Sequence, residues 1–215
     1  ERIRLGSLEP GIITEEFVQS IAALPKMCPH FHLSLQSGCD TTLERMNRRY
    51  RSAEYAEKCG LLRKYLGNPA LTTDVIVGFP METEEDFQDS YDFVESIHFY
   101  ETHIFKYSRR HGTKAAAMSG QLTEAQKTVR SDKMLALNEQ HAKEYEKSML
   151  GGELKVLLEE EVEINGEQWY IGHSMEYIKT AVKRQDNYGV NDIVTVKAEK
   201  FLEEHTLTGE VLGSE

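Results

Sequence analysis

The clearest indication of the fold class is the segment Leu71-Thr72-Thr73-Asp74-Val75-Ile76-Val77-Gly78-Phe79. Its apolar centre, residues 75–77, is typical of a strand buried on both faces of a parallel sheet. Thr83 and Asp86 follow at capping-box spacing, before a helix that we expect to reach residue 97. A buried strand followed directly by a helix is one βα unit of an α/β fold.

The same alternation of strand and helix patterns extends through the first half of the chain. Further strands are predicted at 3–8, 31–36 and 102–107, with helices opened by Thr14 and Ser52. About four βα units are too few to close an eight-stranded barrel. We therefore predict a partial parallel (βα) barrel over residues 1–122. Because residue 1 stands directly before a strand, we expect the chain to be part of a longer protein.

Residues 123–150 predict a linking helix, which Gly151-Gly152 ends. The apolar period then changes to two, which predicts short strands around 154–158, 169–171, 177–178 and 193–196. Turns are predicted at 165–166, 187–189 and 208–209. Residues 151–215 therefore predict a small antiparallel β-barrel.

Composition and charge limit the function classes. The 215 residues are 40% apolar, and no apolar run reaches the roughly 18 residues that a membrane span requires. We expect a soluble, cytoplasmic protein without membrane partners. The net charge of −11 (25 − 36) argues against a chain-wide electrostatic grip on nucleic acid. Residues 1–150 carry 19 − 22 = −3 and residues 151–215 carry 6 − 14 = −8, so any RNA contact must be local.

Cysteine and histidine spacing predicts no metal site. Cys28, Cys39 and Cys59 fit neither a disulfide framework nor a zinc knuckle, so free thiols are expected. His30 and His32 share one side of a predicted strand, but no third ligand is evident nearby. No nucleophile–base pair or glycine-rich phosphate loop is found either.

Polar and turn-forming residues follow each predicted strand. Ligands of parallel α/β folds bind at the carboxyl ends of strands, so a shared ligand site is predicted there, with ordinary loop composition as the alternative. Two basic patches lie just beyond strand ends and could rim the same face, or simply be solvated. The strand ends are 7–10, 36–40, 78–82 and 107–113; the patches are Arg45, Arg48, Arg49 and Arg51, and Arg109, Arg110, His111 and Lys114, with Tyr50 and Tyr107 as stacking candidates.

At these residues the sequence resembles the radical S-adenosylmethionine methylthiotransferases, in motif order and spacing, over roughly residues 1–150. The tail resembles the TRAM domain, an RNA-binding β-barrel. The motifs are Leu33-Ser34-Leu35-Gln36-Ser37-Gly38, Arg45-Met46-Asn47-Arg48-Arg49-Tyr50, Thr73-Asp74-Val75-Ile76-Val77-Gly78-Phe79-Pro80 with Glu82-Thr83, and Tyr107-Ser108-x-Arg110-x-Gly112-Thr113.

The resemblance implies radical chemistry that adds a methylthio group to C2 of a modified adenosine beside the tRNA anticodon. It also implies S-adenosylmethionine and two [4Fe–4S] clusters as cofactors. Residues implied on the S-adenosylmethionine side are Ser7, Glu9, Gln36, Ser37, Asp74, Ile76 and Gly78. Residues implied toward the anticodon loop are Arg48, Arg49, Tyr107, Arg110, Lys183 and Arg184, with Trp169 and Tyr177 as further stacking candidates.

Three branches of the family differ in substrate. The string Met46-Asn47-Arg48-Arg49-Tyr50 speaks against the branch that modifies a ribosomal protein. Residues 28–33, 103–108 and 130–133 favour the threonylcarbamoyladenosine branch over the isopentenyladenosine branch.

The sequence also differs from the family's motifs at several positions. The cluster loop Cys-x3-Cys-x2-Cys is not found, so the chain is expected to be a carboxyl-terminal portion that is inactive alone. Gly6, Cys39 and Met81 stand where Ser, Ser and Gly are more usual, and Glu82 falls one position late. The rival readings are a non-catalytic RNA-binding module and a barrel enzyme with Glu9 or Asp74 as base.

Overall fold

A computed structural model describes residues 1–214, and a four-stranded parallel sheet lies in its first half. The predicted parallel α/β fold is therefore confirmed. In spatial order the strands are β1 (Ser7–Leu8), β2 (His30–Leu33), β3 (Ala70–Val77) and β4 (Glu101–Lys106). Two of the strands are shorter than predicted. Ile3 forms only an isolated bridge, to Met27, and Gln36 rejoins the sheet only through a bridge to Val75.

Helices connect the strands and cover one face of the sheet. The capping box of Thr83 and Asp86 is confirmed, and Thr14 accepts a hydrogen bond from the amide of Phe17. Gly67 ends the third helix at a φ of 75°, a backbone conformation that favours glycine. The helices are α1 (Glu15–Ala22), α2 (Asp40–Arg45), α3 (Ser52–Leu66), α4 (Glu84–Ile97), α5 (Lys114–Ala117) and α6 (Glu124–Ser148).

The two faces of the sheet differ in character. Val75 and Val77 pack with Tyr55 and the other buried side chains of the helical layer. Asp74 and Ile76 point to the opposite face, because successive side chains of a strand alternate, and both are only half-buried. The expectation that residues 75–77 are buried on both faces is therefore wrong. The opposite face is the one that can receive a ligand.

Helix α6 runs beside β4 and leads into a closed five-stranded barrel. The barrel order is β5 (Glu153–Ile164), β6 (Glu167–Ser174), β7 (Lys179–Lys183), β9 (Thr206–Ser214) and β8 (Ile193–Glu203). Its pairs are antiparallel except β7 with β9, which is parallel, so the all-antiparallel prediction needs this correction.

Two local predictions in the barrel are wrong. Tyr177 has a φ of 69° and precedes β7 rather than forming a strand. Thr208 and Gly209 lie inside β9, and the reversal comes earlier, at Glu204 and His205. Gly209 is needed there because a Cβ would lie 1.7 Å from the Lys197 carbonyl oxygen. None of the helices in residues 1–214 is both long and apolar enough to cross a bilayer.

Candidate ligand cleft at the carboxyl edge of the sheet

The carboxyl ends of β2, β3 and β4 border one cleft of about 490 Å³. Five of the side chains predicted from the sequence line it: Gln36, Asp74, Ile76, Tyr107 and Arg110. An adjoining space of about 320 Å³ shares Gln36 and Ile76 and adds Arg48. The structure thus brings residues of the cofactor set and of the RNA set to one edge.

Backbone hydrogen bonds fix Gln36 at the end of the sheet and leave its side chain free to contact a ligand. Its amide donates to the Asp74 carbonyl oxygen (2.8 Å), and its carbonyl accepts from the Ile76 amide (2.9 Å). Its φ of 70° turns the chain away from the sheet at this point. Within residues 1–214 the side-chain amide has no hydrogen-bond partner, so it is available to a ligand.

An apolar wall faces these polar groups. Ile76, Phe79 and Phe105 line the cleft, and the Tyr107 ring packs edge-on against Phe79 with ring centroids 5.2 Å apart. The Tyr107 hydroxyl is buried without a partner among the described residues. A buried hydroxyl left unpaired is a group that a ligand or water would satisfy.

Asp74 also belongs to a cluster on the open sheet face. Its Oδ2 lies 3.3 Å from His32 Nε2, and His32 Nδ1 lies 3.0 Å from Thr72 Oγ1. The His103 ring stacks on His32 at 5.7 Å, and one ligand atom from each of His32, Asp74 and His103 lies within 4.8 Å of the others. These three side chains could hold a cation or move a proton.

This cluster corrects the expectation that His32 has no third ligand nearby. Its companions come from β3 and β4 rather than from its own strand. His30, the companion that the sequence suggested, is buried, and burial lowers its pKa to about 4.

Three of the predicted residues, Ser7, Glu9 and Ser37, follow the first two strands and lie at different places relative to the cleft. Ser7 Oγ bonds Ser34 Oγ (3.0 Å) at the sheet edge. Glu9 lies 3.5 Å from Arg48 Nη1, which places it beside the adjoining space. Ser37 is 1% exposed and its hydroxyl faces helix α4, so its side chain does not line the cleft.

The predicted Gly78 also lies below the surface. Its amide donates to Glu82 Oε1 (2.8 Å), and the Lys127 side chain covers it. Arg130 Nη1 in turn lies 2.5 Å from Glu82 Oε1, and both side chains are buried. The sequence did not predict this ion pair, since its partners are 48 residues apart. It fixes the loop after β3, in which Met81 adopts a φ of 66°.

The basic residues at this edge are unequally available. Arg45 binds Asp86 (2.6 Å) and Arg109 donates to the Ala116 carbonyl oxygen (2.8 Å), so both are engaged within the fold. Arg49 and Arg110 are exposed. Tyr50 is buried and donates to backbone carbonyl oxygens, so its prediction as a stacking face is wrong.

Fewer charged and aromatic side chains of the barrel are available to RNA than the sequence predicts. Lys183 pairs with Glu167 (2.8 Å) and Arg184 with Glu161 (3.2 Å). Trp169 is 5% exposed, so its prediction as a stacking platform is wrong. Tyr177 is partly exposed, but His173 stacks on its ring with centroids 4.4 Å apart and the Arg4 guanidinium lies 3.8 Å from the ring centroid, so the ring is already engaged within the fold.

The cysteines form no ligand set for an iron–sulfur cluster. Cys28, Cys39 and Cys59 are free and buried, and none of the metal-compatible groups within residues 1–214 includes them. Burial raises the pKa of Cys59 to about 12, which disfavours the thiolate that a metal requires. The implied clusters therefore do not fit this chain, whereas the cleft does fit a nucleoside-sized ligand with polar and apolar sides.

Comparisons with known proteins agree with the geometry. Residues 1–94 match the Radical SAM superfamily model. The threonylcarbamoyladenosine tRNA methylthiotransferase MtaB of Bacillus subtilis (strain 168) is 38% identical over 198 residues, 92% of this chain and 44% of the relative. The tRNA-2-methylthio-N(6)-dimethylallyladenosine synthase of Rhodococcus jostii (strain RHA1) is 40% identical over 158 residues, 74% of this chain and 31% of the relative.

The chain thus spans less than half the length of these relatives. Coproporphyrinogen III oxidase of Escherichia coli, a radical SAM enzyme, matches the fold with a TM-score of 0.55 and 17% identity, covering 65% of this chain and 32% of its own. The resemblance found in the sequence is confirmed, and the chain belongs to the radical S-adenosylmethionine methylthiotransferase family.

Proposed function

We propose that this chain is part of a cytoplasmic tRNA methylthiotransferase that modifies C2 of N6-threonylcarbamoyladenosine beside the anticodon. The observation that carries the proposal is the cleft shared by Gln36, Asp74, Ile76, Tyr107 and Arg110. It combines unpaired polar groups, an apolar wall and an adjacent cationic rim, which together suit a nucleoside cofactor next to an RNA.

On the cofactor side, the proposal assigns S-adenosylmethionine to this cleft. When bound, S-adenosylmethionine supplies the 5′-deoxyadenosyl group for radical chemistry. Ile76 and Phe79 would cover the adenine, while Gln36 or Glu9 would hydrogen-bond the ribose or the amino-acid portion. Ser7, Ser37, Asp74 and Gly78 complete the proposed set, with Ser37 and Gly78 shaping the walls from beneath.

On the RNA side, the rim residues Arg48, Arg49 and Arg110 would bind phosphates, since guanidinium forks match phosphate oxygens. Tyr107 would offer a ring to an unstacked base. We propose that the barrel is a TRAM-type domain that contacts RNA through a restricted surface including Lys183 and Arg184. Its acidic composition leaves most of its surface unsuited to RNA.

The chain does not supply cluster ligands, so we propose that iron–sulfur chemistry requires residues outside it. The 215-residue chain alone should bind but not convert its substrates.

The direct test is to delete the gene that contains this chain and profile tRNA nucleosides by mass spectrometry. Loss of the methylthio form of threonylcarbamoyladenosine supports the proposal. Loss of the isopentenyladenosine product instead would reassign the substrate, as the Rhodococcus relative suggests. An unchanged profile contradicts the proposal and favours a non-catalytic RNA-binding module.

A second candidate is favoured by the Asp74–His32 pair at 3.3 Å. Such a carboxylate–imidazole pair could serve an ordinary barrel enzyme as general base. That function predicts turnover without iron or S-adenosylmethionine, and metal-free assays of the intact gene product distinguish the two.

A further inference from the structure

A second cluster of histidine and carboxylate side chains lies away from the cleft, between helices α4 and α6. His98 caps the carboxyl end of α4, with a φ of 54°. His141 and Glu144 lie three residues apart on α6 and so share one helical face. One ligand atom from each of the three lies within 4.8 Å of the other two.

The exposed members of this cluster, His98 and Glu144, lie close to each other. His98 Nδ1 lies 2.8 Å from the Glu95 carbonyl oxygen, which leaves Nε2 with its lone pair. That Nε2 lies 3.2 Å from Glu144 Oε2. Two ligands each about 2.0 Å from a tetrahedral zinc ion are about 3.3 Å apart, so this spacing fits. Gln140 Nε2 donates to Glu144 Oε1 (2.9 Å), an outer-shell contact of the kind that metal-binding carboxylates have.

His141, the buried member of this cluster, gives a second indication of a metal site. His141 is 2% exposed, and neither of its ring nitrogens has a hydrogen-bond partner within residues 1–214. Leaving a buried polar group unsatisfied is costly, and a bound cation would satisfy one nitrogen. The His98 and His141 rings stack with centroids 4.4 Å apart.

We propose that His98, His141 and Glu144 bind one divalent transition-metal ion of the zinc class. Three protein ligands leave a fourth position to water. Arg63 holds the His98 segment in place by donating to the Ile97 (2.5 Å) and His98 (3.0 Å) carbonyl oxygens. The ion would join the end of α4 to α6 and so brace the sheet against the linking helix.

Co²⁺ provides the probe, because tetrahedral Co²⁺ absorbs in the visible range. The 215-residue chain, without a polyhistidine tag and after chelation, is titrated with Co²⁺ and then with Zn²⁺ as competitor. We expect one saturable site whose absorbance Zn²⁺ abolishes. His98→Gly, which suits the positive φ, and Glu144→Gln should each weaken the affinity at least about tenfold.

Two control variants remove the other histidine clusters. His103→Ala disrupts the cluster on the sheet and His205→Asn, which tolerates the φ of 56°, disrupts the one beside the barrel. Both variants should retain the absorbance. Circular dichroism checks that each variant is folded. Absence of saturable binding, or equal affinity in His98→Gly and wild type, would overturn the proposal, as would loss of the site in His103→Ala alone.

Discussion

At the scale of single residues, the Arg130–Glu82 pair holds the loop that closes one side of the cleft. Burial raises the pKa of Glu82, while the Gly78 amide and Arg130 oppose that shift. A buried carboxylate that loses its partner is left uncompensated. We expect Arg130→Met to lower the free energy of unfolding by about 3–5 kcal/mol, measured by urea denaturation.

The double variant Arg130→Met/Glu82→Gln is the matched control, because it removes both charges together. It should be more stable than Arg130→Met alone. A loss below about 1 kcal/mol in the single variant, which is the range of exposed pairs, would show that the ion pair is not buried in solution.

At the scale of elements, His205 joins the barrel to α6. Its Nδ1 lies 2.9 Å from Glu146 Oε1 and its Nε2 lies 3.1 Å from Glu139 Oε2. Burial alone would lower the pKa of His205. The hydrogen bonds that His205 makes with Glu146 and Glu139, together with the negative charges of these two residues, raise its pKa above the ordinary 6.5. The stabilisation from protonated His205 is therefore complete below pH 6.5 and is lost as pH rises through the raised pKa.

We expect the wild-type chain to lose more stability than His205→Asn as the pH rises above 6.5 through the raised pKa of His205. Asn is the chosen replacement because it tolerates the φ of 56° at this position. Urea denaturation at a series of pH values measures both slopes. Equal slopes would contradict the assigned contact.

Gly209, inside β9, is the site of a second prediction at this scale. Gly209→Ala would place Cβ against the Lys197 carbonyl oxygen, so we expect a loss of about 1–3 kcal/mol in unfolding free energy. Gly213→Ala, in the same strand, meets nothing within 4 Å and serves as control. Comparable losses in the two variants would contradict the close approach of β8 and β9.

At the scale of the whole molecule, local signals predicted the α/β half well. The capping box at Thr83 and the strand around Val75 depend on residues that are close in sequence, so both could be predicted from the sequence alone. The convergence of Gln36, Asp74 and Tyr107 followed from a general rule for parallel sheets. What the sequence did not predict depends on long-range pairing: the parallel contact of β7 with β9, Gly209 inside a strand, and the burial of Trp169.

Titration calorimetry of the intact gene product measures whether the cleft beside Gln36 binds S-adenosylmethionine. Gln36→Gly removes the unpaired amide while suiting the φ of 70°, and Asn165→Gly, at another positive φ in the barrel, is the control. We expect Gln36→Gly to bind S-adenosylmethionine at least about tenfold more weakly, and Asn165→Gly to bind it as tightly as the wild type. Wild-type affinity in Gln36→Gly would show that this side chain does not contact S-adenosylmethionine.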